Sequence, residues 1–322
     1  MNAHKTVATV QEYACGALRN LAINGDNKVA IARANGIAVI LTAMKAHTAV
    51  ATVQKQACAA LENLAVNDSN RVAIARANGI AAVLKAMNTH TAVVLVQENA
   101  CGALQNLTFN SDENKVAIAR ANGIAAILTA MNAHTAVATV QKQACAALLC
   151  LACNNDDNKV AIASANGIAA ILTAMKAHTA VATVQEYACR ALWNLAINDD
   201  NKVAIARANG IAAIIAAMNA HTAVATVQKQ ACGALLCLAC NDDNKVAIAR
   251  ANGIAAIMAA MNAHTAVATV QECACWALQI LACHNNDNKV AIAGTNCIAA
   301  ILRAMNAFFR ALRRRLSRKR LP

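Results

Sequence analysis

Apolar residues along the chain recur with the spacing of amphipathic helices. Ile168, Ile171, Leu172 and Met175 occupy the i, i+3, i+4 and i+7 positions of one helical stripe. The segment that follows, 180–195, is apolar around so much of a helix that neighbours on more than one side are needed to bury it. Such a segment is expected to be stable only within an array of similar segments.

The whole pattern returns every 43 or 44 residues, as the steps from Asn35 to Asn78 and from Asn78 to Asn122 show. A period of this length indicates a stacked helical array. Each repeat is predicted to contain a short first helix, a second helix and a longer third helix. We expect Asp157 or Asn158 to cap the first helix of one repeat, Gly167 to end it in the left-handed conformation, and Thr179 to cap the third.

The repeat boundaries divide the chain into four parts. Residues 1–26 correspond to the third helix of an incomplete repeat, 27–287 to six complete repeats, 288–307 to a partial seventh, and 308–322 to a basic amphipathic tail. No polar capping repeat is visible at the start. Either the protein extends upstream, which we favour, or self-association covers this uncapped face.

Composition narrows the class of protein. The chain is 58% hydrophobic, but no apolar run approaches the roughly 18–20 residues of a membrane-spanning helix. The start has no apolar core of a signal peptide. Half of the 14 cysteines repeat at one position beside an alanine, as small buried residues of a reduced chain do. The expected location is the cytoplasm, with the nucleus as a second possibility.

The third-helix pattern Gln-x-x-Ala-Cys-x-Ala-Leu-x-Asn-Leu-Ala, at 185–196, resembles the armadillo repeat of beta-catenin, importin alpha and the vacuolar armadillo proteins. HEAT repeats share the period but seldom this third helix. The resemblance covers residues 5–307 and implies an all-α fold, a right-handed α-α superhelix. It also implies a groove of third helices in which Asn side chains bond an extended peptide and Trp side chains, one turn earlier, hold its side chains.

The groove motif transfers only in part. The Asn position is kept in four repeats, whereas the Trp position is filled by Trp only at Trp276, so import-receptor activity is not expected. Neighbouring aromatic and basic residues could add anchors, and the alternative is that each Asn braces its own helix. We expect alanine at Asn63 and Asn106 to weaken partner binding without lowering the melting temperature. The predicted peptide-binding set is Tyr13, Arg19, Asn20, Asn63, Asn106, Tyr187, Trp193, Asn194 and Trp276.

Charge is distributed in rows. The residue after each repeated Gln alternates between Glu and Lys, from Glu12 and Lys55 onward, which predicts stacking specificity between third helices. Basic residues also recur along the first helices, as at Lys115 and Arg120. Because only 2% of residues are aromatic, we interpret that row as a solvated rim and do not expect nucleic acid as a partner.

The tail carries much of the net charge of +13. Three interpretations stay open: a cap on the last repeat, a nuclear-import signal, or an anchor on an anionic membrane surface. Its basic residues are Arg310, Arg313, Arg314, Arg315, Arg318, Lys319 and Arg320.

The chain offers no catalytic constellation, so we predict no enzyme and no cofactor. A histidine repeats once per unit, as at His134 and His178, too far apart to share a metal ion. The predicted function is a protein-interaction scaffold that binds an extended peptide or partner segment along the third-helix groove. The alternative is a nuclear or membrane-surface adaptor directed by the tail, and a drifting repeat expansion is a third possibility.

Overall fold

A computed structural model of the chain describes residues 4–294 and 296–306, which form helices and turns and contain no strand. The first eleven helices are α1 (Ala8–Leu21), α2 (Gly25–Arg33), α3 (Gly36–Ala46), α4 (Ala51–Leu64), α5 (Asp68–Arg76), α6 (Gly79–Thr89), α7 (Val94–Thr108), α8 (Asp112–Arg120), α9 (Gly123–Ala133), α10 (Ala138–Ala152) and α11 (Asp156–Ser164). The next ten are α12 (Gly167–Ala177), α13 (Ala182–Leu195), α14 (Asp199–Arg207), α15 (Gly210–Ala220), α16 (Ala225–Leu238), α17 (Asp242–Arg250), α18 (Gly253–Ala263), α19 (Ala268–Ala282), α20 (Asn286–Gly294) and α21 (Cys297–Asn306).

The predicted all-α fold of three-helix repeats is confirmed. Contacts group the chain into two compact units, Met1–Ala174 and Met175–Pro322. In the first unit the third helices α1, α4, α7 and α10 pack side by side, and the second helices α3, α6 and α9 pack in a second row. In the second unit α13 packs on α16, α16 on α19, and α15 on α18. The core lies between these rows and is built from fully buried side chains such as Leu61, Leu104 and Ile127.

The turn between first and second helices differs from the prediction for Gly167. The residue in the left-handed conformation is the asparagine before the glycine, with φ of 59° at Asn122 and 65° at Asn166, and no glycine of the described part has a positive φ. Glycine is needed there for space, because a Cβ at Gly123 would lie 2.8 Å from the carbonyl oxygen of Ile118. The Asn-Gly pair therefore combines a left-handed residue with a close approach of two helices.

The predicted cap of the first helix is also wrong. Asn155 lies at the N-cap, and its side chain accepts a hydrogen bond from the backbone N–H of Asn158 at 2.8 Å. The side chain of Asn158 points into the core and donates to the carbonyl of Leu151 at 3.0 Å. Asp157 belongs to the first turn, where a carboxylate favours the positive end of the helix dipole.

Thr179 does not cap the third helix. The N-cap is Val181, which makes no side-chain capping bond. Instead the Gln185 amide donates to the carbonyls of Met175 at 2.8 Å and His178 at 2.9 Å. The repeated glutamine thus satisfies carbonyls left free at the end of the second helix.

Histidines at the repeated position connect neighbouring repeats by hydrogen bonds. Nε2 of His134 lies 2.7 Å from the carbonyl oxygen of Thr91 in the preceding repeat. A carbonyl can only accept, so Nε2 carries the proton. The same bond, at 2.7–2.8 Å, is made by His47, His90, His221 and His264.

The solvated rim predicted along the first helices is wrong for four of its twelve basic residues, which are buried. The Lys115 side chain is only 5% exposed, and its Nζ pairs with Asp112 at 2.8 Å. The arginines at the ends of these helices do face solvent, as at Arg76 and Arg120. Burial of the lysine is possible because carboxylate and carbonyl oxygens replace its water. The other basic residues buried in this way are Arg71, Lys159 and Lys245.

The glutamates of the alternating Glu and Lys row make a contact that the sequence did not predict. Glu12, Glu98 and Glu186 each accept a hydrogen bond of 2.7 Å from the threonine of the next repeat, Thr52, Thr139 and Thr226. These bonds join adjacent third helices.

None of the individual helices in the described residues has both the length and the apolar content to span a membrane. Five pairs of consecutive helices, bent by 70–73° at their junction, meet the criteria of length and composition when taken together.

Candidate binding surface on the third helices

The outward side of the third helices is where the sequence places the binding residues. The inward side of α4 is a buried stripe that includes Val53, Leu61 and Leu64. The outward side carries polar residues such as Gln56 and Asn63, which are half-buried. Periodicity of 3.6 residues thus separates a packing stripe from a polar stripe on each third helix.

In the first unit, three of the predicted residues meet around one cavity. Tyr13, Arg19 and Asn20 line a cavity of about 270 Å³ between α1 and α4, together with Glu12 and Gln56. The Tyr13 ring is 76% exposed. The Arg19 guanidinium donates to Oε1 of Gln56 at 3.4 Å, so the cavity offers an aromatic face, a cation and amide groups at once.

Asn63 and Asn106 lie on the same surface, one and two repeats further on. Their side-chain amides donate to the carbonyls of Arg19 and Glu62, both at 2.9 Å. Each acceptor lies in the last turn of the preceding third helix, where carbonyls lack a helical partner. The two asparagines therefore brace neighbouring helices, and an unchanged melting temperature on their replacement is no longer expected.

Glu62 belongs to this surface but is missing from the residues predicted by sequence. Its carboxyl group lies over Gly102, where a Cβ would be 2.5 Å from the carboxyl carbon, and Gln143 donates to its Oε1 at 3.3 Å. Burial, aided by the charge of Glu98, raises the pKa of Glu62 to about 7 against the opposing charges of Lys142 and Arg19. The sequence contained one signal for this contact. Glu62 is an acidic residue directly before Asn63, and the next third helix carries a glycine, Gly102, where its carboxyl group packs.

The remaining predicted residues lie in the second unit. Trp193 covers Gly233, where a Cβ would be 2.5 Å from the indole Cε3. Asn194 donates to the carbonyl of Arg190 at 3.2 Å, within its own helix. Tyr187 is half-buried on α13, and the Trp276 indole on α19 is 53% exposed. The predicted set thus falls into two groups, one in each unit.

Three further groups of residues singled out from the sequence are the basic tail, the candidate metal ligands and the repeated cysteines. The basic tail, Arg310, Arg313, Arg314, Arg315, Arg318, Lys319 and Arg320, lies outside the described residues. In residues 4–294 and 296–306, no three His, Cys, Asp or Glu side chains are grouped to hold a metal ion. Burial raises the pKa of the Cys101, Cys232 and Cys275 thiols, and raises that of Cys15, Cys58 and Cys145 to about 12.

Three-helix repeats with these turns define an all-α protein of the armadillo-repeat class. The family model described as LRRK2 ARM repeat matches residues 1–256, and the chain belongs to this family. A second family model, the WhiA LAGLIDADG-like domain, matches only residues 237–276, which here are parts of armadillo helices. No curated protein matches the chain.

Solved structures agree on the fold. An engineered protein from the Northeast Structural Genomics Consortium is 28% identical with a TM-score of 0.77, covering 93% of this chain and 69% of that one. A structure from work on the phosphorylation-controlled interaction between cadherin and beta-catenin is 20% identical with a TM-score of 0.72, covering 91% and 57%. A designed armadillo repeat protein in complex with the peptide (KR)4 is 19% identical with a TM-score of 0.62, covering 71% and 93%.

Proposed function

We propose that the chain is a protein-interaction scaffold that binds an extended peptide or partner segment along its third helices. The carrying observation is the placement of its few aromatic side chains. Among the described residues, four of the five belong to third helices: Tyr13, Tyr187, Trp193 and Trp276. Tyrosine, tryptophan and arginine are the residues in which binding energy concentrates at protein interfaces.

The spacing of equivalent positions along the third helices supports an extended ligand. Stacked third helices present one polar row per repeat, about 10 Å apart, and an extended chain advances by roughly 3.3 Å per residue. Every third residue of the ligand would therefore meet an equivalent position, such as Asn20 and then Asn63. Two of the similar structures involve a peptide or protein partner, and the proposal extends that behaviour to this chain.

The scaffold role requires no catalytic chemistry, and armadillo proteins are typically binding modules without enzymatic activity. We further propose a cytoplasmic or nuclear setting. An adaptor directed by the tail is the competing function. Deleting residues 308–322 separates the two, because a scaffold keeps its partners without the tail whereas the adaptor loses its location.

The test replaces the two most exposed aromatic residues of the third helices, Tyr13 and Trp276. Partners captured from native lysate by the full chain are quantified by mass spectrometry and compared with those captured by Y13A/W276A. We expect at least about tenfold less capture, because interface aromatics commonly contribute about 2 kcal/mol or more. The matched control, V72A/V160A, removes exposed apolar side chains from first helices and should capture as the parent does. Equal capture by both variants would exclude the third-helix surface.

A further inference from the structure

A second concave surface lies between the second helices of the first unit. A groove of about 610 Å³ runs between α3 and α6. Its floor includes Ala38, Leu41, Ala81 and Ala82, so it is apolar and made largely of small side chains. Its volume falls in the range of pockets that hold ligands, roughly 300–1,000 Å³.

The rim of this groove is cationic. Lys45 of α3 and Lys85 of α6 both line it and are exposed, and no Asp or Glu is among its lining residues. The exposed Arg76 directly precedes Ala77 and Asn78, which also line the groove. By contrast, the basic residues buried in the first helices are paired with aspartates three positions earlier, as Lys115 is with Asp112.

The pair of lysines is peculiar to this groove. The position of Lys45 is filled by Asn or Lys in the other second helices, and that of Lys85 by Thr, Ala or Arg. Among the described helices, α3 and α6 are the only consecutive second helices of which the first carries lysine at the Lys45 position and the next carries lysine at the Lys85 position. The residues equivalent to Lys45 are Asn88, Asn132, Lys176, Asn219, Asn262 and Asn306. Those equivalent to Lys85 are Thr42, Thr129, Thr173, Ala216, Ala259 and Arg303. The charge is therefore a local feature of one repeat pair.

We propose that the groove between α3 and α6 docks an acidic amphipathic helix of a protein partner. Because the alanines on the floor are small, the apolar ridge of the partner's helix can enter between α3 and α6. Carboxylates flanking that ridge would meet Lys45 and Lys85. This site is independent of the third-helix surface, so either can fail without the other.

The lining chemistry favours a helix over other anionic ligands. Single-stranded nucleic acid binds on aromatic stacking platforms, and none of the lining residues is aromatic. A membrane-surface element presents large apolar side chains such as Trp or Phe to the lipid, whereas this floor is recessed and made mainly of alanine. The apolar floor and the cationic rim together match one ligand: a helix with leucines on one face and glutamates beside it.

The experiment uses the full chain and a fluorescein-labelled helical peptide with leucines on one face and glutamates on the other. Binding is followed by fluorescence anisotropy at low and physiological ionic strength. We expect the peptide to bind, and K45E/K85E to weaken binding by about tenfold or more while the far-UV spectrum stays unchanged. A81W, which places a large side chain at an exposed position of the groove, should also weaken it.

The matched control is K176E, because Lys176 holds the Lys45 position of a repeat whose successor carries Ala216 at the Lys85 position. It should bind as the parent does. A peptide with lysines in place of glutamates should not bind. The proposal is overturned if the acidic peptide binds more weakly than about 1 mM, if K45E/K85E and K176E behave alike, or if the two substitutions abolish binding to phosphatidylserine vesicles or single-stranded RNA but leave the peptide unaffected.

Discussion

Lys115 joins the first and third helices of its own repeat: its Nζ lies 2.8 Å from the backbone carbonyl oxygen of Cys153, the C-cap of the third helix. The same ammonium pairs with Asp112. Lys245 makes the equivalent bond to the carbonyl of Cys283 at 3.0 Å. A buried cation thus joins the start of the first helix to the end of the third, where helix carbonyls carry partial negative charge.

Replacing Lys115 by methionine should therefore destabilise the protein. Methionine keeps much of the side-chain volume but cannot donate to the carbonyl, and bonds involving a charged group contribute about 1.5–3 kcal/mol. Urea unfolding of the full chain should show a loss of that order. Arg120→Met, on the same helix but exposed, should stay within about 0.5 kcal/mol of the parent. Equal effects of the two changes would show that Lys115 contributes no more than a surface residue.

Gly123→Ala tests the close approach of first and second helices. The added Cβ would lie 2.8 Å from the carbonyl oxygen of Ile118, and a backbone atom cannot rotate away. We expect a loss of roughly 1–3 kcal/mol, as in other overpacked sites, measured by urea unfolding. Gly25→Ala is the matched control, because its added Cβ would meet no atom within 4 Å outside its own stretch of helix, and the residue is helical. It should be neutral or stabilise by up to about 1 kcal/mol, and a comparable loss at both sites would contradict the steric explanation.

The repeat period and the apolar stripe of each helix were enough to predict the helices, because both features recur in seven copies of one pattern. The turn chemistry was not predictable in the same way. In Asn166-Gly167 either residue can take a positive φ, and the choice depends on packing against Ile162 of the preceding helix. The cap was missed for a similar reason, since Asn155, Asp157 and Asn158 all carry groups that can cap.

The binding surface was only partly predictable. Its asparagines and aromatics follow from one repeat position, and as ligand contacts they stay a prediction. Glu62 is a single departure from the repeat, and its burial depends on Gly102 one repeat away and on Gln143 two repeats away. The buried position of Lys115 was missed because charge alone suggests solvent, whereas its partners are a nearby aspartate and a distant backbone carbonyl.

The thiols should separate into two classes of reactivity. Cys58 and Cys145 are fully buried with a pKa raised to about 12, so thiolate is scarce and access is blocked. Cys240 and Cys283 are exposed. Brief alkylation of the native protein by iodoacetamide, followed by peptide mass spectrometry, should modify Cys240 and Cys283 and leave Cys58 and Cys145 intact. Unfolding in urea should make all four react, and early labelling of Cys58 would contradict the buried row.

Glu62 should make stability depend on pH near neutrality. Its pKa is raised from 4.5 to about 7 in the folded protein, so the folded state holds a proton that the unfolded state releases. Stability contributed by this group is complete below about pH 4.5 and is lost as the pH rises to about 7. Glu62→Gln carries no charge and should remove that loss, making the variant more stable than the parent at pH 8, on the order of 2 kcal/mol, but nearly equal at pH 4.

Urea unfolding of parent and variant across this range measures the difference directly. Glu272→Gln, at an exposed position of α19, is the matched control and should follow the parent at every pH. The window also identifies the group, because an ordinary surface carboxylate would lose its effect near pH 4. A constant difference between E62Q and the parent from pH 4 to 8 would mean that the substitution alters packing over Gly102 and that the Glu62 carboxyl does not titrate near neutrality. A difference that grows between about pH 5 and 7 would show that the half-buried Glu62 carboxyl titrates near neutrality, so that a charged ligand beside it would shift its pKa.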